Sequence, residues 1–331
     1  MTKAQLRTRS YRRSALALLA GFLILLGLMS GGIISNQYRG VLISVFIYIL
    51  LATSLNLTTG ALGELVLGHA GFMSIGAYTA ALVTMHLELP GMIEFPLALL
   101  IGGGLAAVFG IIIGIPALRL RGDYLAIVTL GFGEIIRVVI QNMTITGGGR
   151  GLYGIEEYTT FPWVFWITVL GVAFMYAMIY TRQGLAILSL RENEIAAESV
   201  GIPATRYKVL AFTVSSFFAG VAGGLYAHYI TVLDPGTFDF NMSIEILVMV
   251  VLGGMGSFTG SVLAATVLTA LPELLRGFSD YRMLIYSILL VVMMILRPQG
   301  LLGKREFSLD RLWEKAAGLF RRGKTEERGD A

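Results

Sequence analysis

Residues 95–118 read FPLALLIGGGLAAVFGIIIGIPAL, a run of 24 without one Asp, Glu, Lys or Arg. A helix rises ~1.5 Å per residue, so this run is about 36 Å long and crosses the roughly 30 Å hydrocarbon core of a bilayer. The same test finds comparable stretches at 14–38, 40–63, 65–87, 124–143, 158–181, 209–233 and 246–272, and a shorter one at 283–296. The 124–143 stretch carries Glu134 and Arg137, and 246–272 is interrupted by Gly253-Gly254-Met255-Gly256. Composition agrees: 56% of the chain is apolar and 14% is charged, where a soluble domain carries roughly 45–50% and about 25%. The sequence therefore predicts an all-α polytopic membrane protein with eight to ten transmembrane helices, one or two of them broken or re-entrant at glycine-rich segments.

Charge sets the orientation. Lys3, Arg7, Arg9, Arg12 and Arg13 precede the first span with no acid among them, and nine basic residues follow position 296. This is the positive-inside pattern at both termini, so both are expected in the cytoplasm. The loops at 88–94, 150–157 and 234–239 are acid-rich and read as external; those at 119–123 and 182–208 are basic and read as cytoplasmic. The alternation holds only if 246–272 makes two crossings or hides a break. The chain divides into a basic N-terminus (1–13), a membrane domain (14–303) with a cytoplasmic loop at 182–208, and a charged tail (304–331). The 14–38 run is longer than a signal peptide's apolar core and lacks a small-residue cleavage site, so it is read as a span. Basic charge without a recognition module gives no reason to expect nucleic-acid binding.

Several chemistries are excluded. There are no cysteines, hence no disulfide, thiolate metal site or cysteine nucleophile, and the three histidines (His69, His86, His228) are far apart. No metal site and no cofactor is expected on this chain, and no catalytic residue. Gly318–Thr325 matches the phosphate-loop pattern, but in a basic tail without a nucleotide fold. Gly149–Gly154 matches G-x-G-x-x-G in an external loop rather than a strand–helix turn. Gly110/Gly114 and Gly220/Gly224 have the spacing of helix-packing faces.

Two glycine-rich stretches in opposite halves are the candidate pathway. The first holds Gly60, Gly63, Glu64, Gly68, His69, Gly71, Ser74 and Gly76; the second runs from Glu245 through Gly253, Gly254 and Gly256 to Gly260. Each glycine weakens a helix by roughly 1 kcal/mol relative to alanine. Paired interruptions in two halves point to a transport site. The alternative is an unbroken helix packed closely through its glycines. Acids inside apolar spans cost about 2.5–3.5 kcal/mol and ask for partners. Arg137 lies one turn from Glu134 and supplies one. Glu64 and Glu245 are either near the membrane surface or functional. A third stretch, Gly184 to Pro203, is helix-permissive, with a small Ala196-Ala197 face; it suits docking into a partner or is a solvated surface helix.

The runs 55–80, 120–130 and 247–257 together resemble the signature of branched-chain amino-acid ABC importer permeases of the LivM type, over roughly residues 40–303. The resemblance implies an importer of two permeases and two ATP-binding cassette ATPase subunits, fed by an external substrate-binding protein and set in the lipid of the cytoplasmic (inner) membrane. It implies a second, homologous permease subunit beside this one and ATP hydrolysis on the partners alone. The 182–208 segment would be the coupling loop. Against the importer pattern Glu-Ala-Ala-x-x-x-Gly, Ala196, Ala197 and Gly201 fit, Ile195 occupies the glutamate position and Glu194 stands one residue earlier; Glu198 completes the expected docking set. Glu64 and Val66 stand where relatives more often carry Gln and Ser. The implied cargo is leucine, isoleucine and valine, with urea, short amides or other amino acids as rivals within the family. A rival of another class is a stand-alone proton-coupled transporter using Glu64, His69 or Glu245.

Overall fold

From residue 49 to residue 62 every side chain of the first long helix is buried. A helix buried all round must be largely apolar and must find partners for its polar groups; this one is mostly apolar and pairs most of its polar side chains, leaving only the Asn56 Nδ2 and the Thr59 hydroxyl without a partner. Leu50, Leu51, Leu55 and Leu57 are fully enclosed. Among them, the Thr53 and Ser54 hydroxyls donate to carbonyls one turn back, at 2.7 and 2.8 Å. The computed structural model describes residues 35–87 and 90–275, with single positions between 19 and 29, between 287 and 296, and at 300, 301 and 303. Residues 40–305 form one compact unit; 1–39 and 306–331 are grouped as another, of which the described part is helical positions between 19 and 29 and the opening turn of the central helix.

The elements are helical in succession. α1 (Asn36–Asn56) widens into a π-helical stretch, Leu57–Leu62. α2 (His69–His86), α3 (Gly91–Ala117) and α4 (Asp123–Asn142) follow, then α5 (Phe161–Ile179). Two short helices, α6 (Arg182–Glu192) and α7 (Glu194–Ser199), precede α8 (Ala204–Ile230). α9 (Phe240–Gly253) and α10 (Phe258–Leu274) follow, with further helical positions between 287 and 296. There is no strand among the described residues, only a two-bond antiparallel bridge between Leu152 and Leu233. Side-chain caps explain several starts: Thr181, Asn193, Asp239 and Ser257 each accept a backbone N–H from the first turn they precede.

Four described helices are long and apolar enough to cross a membrane: Gln37–Leu62, Gly91–Ala117, Phe161–Ile179 and Ala204–Ile230; Phe240–Gly253 and Phe258–Glu273 are shorter apolar helices. The stretch expected at 246–272 is thus two helices that turn at 254–257. Most of 283–296, most of 14–38 and both terminal segments, including the phosphate-loop match, lie outside the described residues; the positions described between 287 and 296 are helical.

α2, α3 and α8 pack as a trio through glycine. A Cβ on Gly76 would run into the backbone of Gly220, and one on Gly223 into the carbonyl of Met73. One on Gly110 would lie 2.6 Å from the Ser216 hydroxyl, and one on Gly114 3.0 Å from Phe212. Both packing faces expected from spacing are therefore used, 110/114 on α3 against α8 and 220/224 on α8 against α2 and α3. The opposite side of α3 carries Leu100, Ile101, Leu105, Val108 and Ile112 outward.

Candidate functional site

The two glycine-rich stretches do break, and they meet. After the π-helical stretch, residues 63–68 are non-helical before α2 resumes at His69. Between α9 and α10, Gly254 (φ +106) and Gly256 (φ +92) turn the chain in a backbone region that side-chain-bearing residues rarely enter. Gly60 lies so close to Gly256 that a Cβ there would strike the Gly256 nitrogen. The buried Asn56 amide oxygen accepts that same N–H at 2.8 Å. Nearby, Ala70 N donates to the Ser243 hydroxyl at 3.2 Å. α4 closes another side: the Thr129 hydroxyl accepts from Leu67 N at 3.1 Å, and a Cβ on Gly68 would meet the Thr129 carbonyl.

The other candidate pathway residues divide by role. His69 is buried and shares a 2.8 Å hydrogen bond with the Ser54 hydroxyl. Ser74 donates to the Gly71 carbonyl at 2.7 Å, while Gly71 lets α2 approach Gly133 of α4. Gly253 packs its backbone on Gly260 and so closes the α9–α10 turn. Glu245 is exposed on α9 and makes no ion pair among the described residues. Glu134 is neutralised by Arg137 at 2.8 Å, as its spacing predicts.

Over the two breaks lies the α6–α7 elbow. The sequence suggests one helix between Gly184 and Pro203; the structure makes two, because Asn193 is extended and uses its side chain to cap α7 through Ala196 N at 3.0 Å. α7 ends in a Schellman motif, with Ile202 N donating to the Ala197 carbonyl and Gly201 N to that of Glu198. Gly201 sits there at φ +89, the left-handed position this motif requires. Successive helical residues point about 100° apart, so Ala196 and Ala197 do not share the flat face the sequence suggests. Ala197 is buried with Leu62, Met178, Ile187 and Leu190, whereas Ala196, Glu198, Ile195 (73% exposed) and Val200 (75%) face outward.

Glu194 points inward. Its carboxylate lies 3.0 Å from Lys208 Nζ and 3.5 Å from Arg121. Lys208 Nζ also lies 2.7 Å from Glu64 Oε1 in the first break. The 182–208 segment was expected to be loop to its end, but Lys208 is already within α8 and almost wholly buried, its side chain 5% exposed. Arg191 reaches the same region: a Cβ on Gly63 would lie 3.0 Å from its Cγ, and one on Gly256 2.6 Å from its Nη1. Sequence reasoning did not single out Lys208, Arg191, Asn56 or Thr129. For Lys208 a signal existed, since a lysine in the first turns of a long apolar helix needs a carboxylate partner.

At the ends of α2 and α3 remote in sequence from the elbow, a cavity of about 350 Å³ is lined by Thr84, Leu87, Glu94, Gly154, Glu156 and Tyr158. The Tyr158 hydroxyl donates to Glu156, and that bond pushes the phenol's pKa up to about 12. His228 is held by the Gly224 carbonyl at 2.8 Å and the Thr84 hydroxyl at 2.9 Å. The Gly149–Gly154 match runs from a 3-10 turn (Gly148–Arg150) into extended chain beside Leu233 and opens no α-helix. No group of three or more His, Cys, Asp or Glu residues that would hold a metal occurs among the described residues.

Residues 37–297 match the family model described as the permease component of branched-chain amino acid transport systems. The chain is 42% identical over 291 residues to the high-affinity branched-chain amino acid transport system permease protein LivM of Salmonella typhimurium, covering 77% of this chain and 68% of that protein. The LivM protein of Escherichia coli K12 matches at the same identity and coverage. LivH of Salmonella typhimurium is 25% identical over 285 residues, covering 78% of this chain and 92% of its own length. A 261-residue match to the family and 42% identity to LivM proteins agree with the broken apolar helices: this chain belongs to the permease components of branched-chain amino acid transport systems.

Proposed function

We propose that this chain is one permease subunit of an ATP-driven importer that carries leucine, isoleucine and valine across the cytoplasmic membrane. It pairs with a homologous permease and performs no chemistry itself. Two ATPase subunits hydrolyse ATP, and an external binding protein delivers the substrate. The observation that carries this reading is the juxtaposition of two glycine breaks from opposite halves directly beneath the α6–α7 elbow. Breaks at membrane depth are tolerated where they line a path or are covered by protein. The elbow offers the docking knob: Ile195 and Val200 expose apolar surface beside Ala196 and Glu198 on a short capped helix.

Eight to ten crossings with both termini in the cytoplasm fit the turn at 254–257, which supplies the additional reversal that the loop charges demand. Glu245 supports a second permease. An acid six residues into an apolar helix costs about 2.5–3.5 kcal/mol against lipid, so its face turns to water or to the partner subunit. Glu64 and Glu134, each held by a basic residue, are poorly placed as proton relays, which weighs against a stand-alone proton-coupled transporter.

The test is gentle extraction of the tagged chain from native membranes, followed by reconstitution in liposomes. Co-purification of a second permease and two ATPase subunits, with ATP hydrolysis stimulated by leucine and the binding protein, is the expected result. A chain that purifies alone and moves substrate under a proton gradient overturns the reading.

A further inference from the structure

We infer that Lys208 is the positioning residue that transmits movement of the α6–α7 elbow to the broken segment at 63–68. This deepens the function proposed above and rests on it. The inference stands on three contacts. Lys208 Nζ bonds Glu194 at the first position of α7 (3.0 Å) and Glu64 immediately after Gly63 (2.7 Å). Arg121, in the turn between α3 and α4, holds the far side of Glu194 at 3.5 Å. The chain Arg121–Glu194–Lys208–Glu64 therefore runs from the outward-facing elbow to the break without a gap.

α7 is six residues long and is anchored in the core by the single buried side chain of Ala197. Such an element cannot push by bulk. An ion pair with one buried partner resists separation in every direction, because neither charge can move to water without the other. Lys208 is the member with least freedom, its side chain 5% exposed against 14% for Glu64 and 24% for Glu194. It is also mounted on α8, which meets α2 backbone on backbone at Gly76–Gly220 and Met73–Gly223. The break, by contrast, has no internal helical hydrogen bonds between 63 and 68. A displacement of Glu194 is thus passed through a fixed lysine to the non-helical backbone at 63–68. Coupling between two sites needs an element whose state both bias, and the 63–68 segment is that element.

The test uses the complete complex of permeases, ATPases and binding protein in proteoliposomes. The first readout is leucine taken up per ATP hydrolysed. Lys208→Met is expected to leave assembly and ATP hydrolysis in place while uptake per ATP falls about tenfold. Lys208→Arg is expected to restore most of the ratio. Glu64→Gln, which cuts only the link on the side of the break, is expected to uncouple in the same way and covers the case in which Lys208→Met does not assemble. The second readout needs no substrate. The chain has no cysteine, so Leu65→Cys, half-buried in the break, is its single thiol, and maleimide labelling is read on this chain after its separation from the partners by gel electrophoresis. Its labelling rate is expected to change when a non-hydrolysable ATP analogue is added, and Lys208→Met is expected to abolish that change. An unchanged uptake ratio with unchanged nucleotide-dependent labelling in Lys208→Met overturns the inference. So does a parallel loss of uptake and hydrolysis that Lys208→Arg does not rescue. Wild-type liposomes that hydrolyse ATP but take up no leucine refute the substrate reading instead, and the labelling comparison still decides the role of Lys208.

Discussion

Replacing Lys208 by methionine leaves Glu64 and Glu194 facing each other across the space the ammonium occupied. Since both bond the same nitrogen, at 2.7 and 3.0 Å, their carboxylate oxygens are at most about 6 Å apart. At an effective dielectric near 20, two like charges at ~6 Å repel by about 2.8 kcal/mol. Removing one partner of a buried pair costs about 3–5 kcal/mol in all, the repulsion included. Lys208→Met is therefore expected to destabilise the folded chain by about 3–5 kcal/mol. Glu64→Gln loses the bond to Lys208 in the parent but loses nothing of it once Lys208→Met has removed the ammonium, so added to Lys208→Met it is expected to cost less than it does alone. The cycle of the two single variants and the double should show a coupling of about 1–3 kcal/mol, the attraction between Lys208 and Glu64. The assay is unfolding in mixed dodecylmaltoside–SDS micelles, followed by circular dichroism. Costs that add to within ~0.5 kcal/mol would refute the reasoning, because they would mean that the lysine and the glutamate do not sense one another.

Other outcomes follow from the same geometry. Gly60→Ala drives a methyl into Asn56 and the Gly256 backbone; it should cost about 1–3 kcal/mol in the same micelle titration, overriding the ~1 kcal/mol that alanine gains in a helix. Gly220→Leu, which no rotamer can accommodate against Gly102, Gly103 and Ala106, should abolish recovery of monodisperse protein on size exclusion. Ile195→Glu should release the ATPase subunits on extraction while leaving the permease's own unfolding unchanged within ~0.5 kcal/mol. Tyr158 should ionise near pH 12, since its bond to Glu156 favours the neutral phenol over the ordinary value of 10.0. The folded protein then keeps a proton that the unfolded chain gives up near 10, so this group's contribution to stability declines as pH rises from 10 to 12. The absorbance difference at alkaline pH between the parent and Tyr158→Phe isolates this titration, and Glu156→Gln should move it back toward 10.0.

The spans were legible because they depend on a one-dimensional property. Length and the absence of charge placed α1, α3, α5 and α8 to within a few residues, and the failure of loop charges to alternate exposed the turn at 254–257. The Glu134–Arg137 pair was legible because both members lie on one turn of one helix. What escaped was whatever depends on two distant segments meeting. Asn56 and Gly256 are 200 positions apart, and no local pattern marks an asparagine that will cap a turn in another half of the chain. Lys208 was counted with the loop charges, because four residues of α8 separate it from Pro203 and its neighbours give no apolar signal until Val209. Splitting the elbow at Asn193 was hidden for another reason: an asparagine inside a helix-permissive window reads as a weak helix former, and only the Asn193–Ala196 bond shows that it starts a second helix. The inward turn of Glu194 then follows from where α7 begins.

The seam among α2, α3 and α8 has a consequence for how such a molecule can work at all. Interfaces made of side chains can shift by re-sorting rotamers, one notch at a time, and keep their density. Where Gly76 lies on Gly220 and Gly223 on Met73, there is nothing to re-sort, so the surfaces fit in a single register or not at all. These three helices form a keel. A transport cycle run on this chain steers around it, with bending confined to the π-helical end of α1, the gap before α2 and the hairpin of α9 and α10. The same rigidity makes the keel intolerant of gradual change: where backbone meets backbone, as at Gly76 on Gly220 and Gly223 on Met73, the contact admits hydrogen alone, so a substitution on one side cannot be answered by trimming the other.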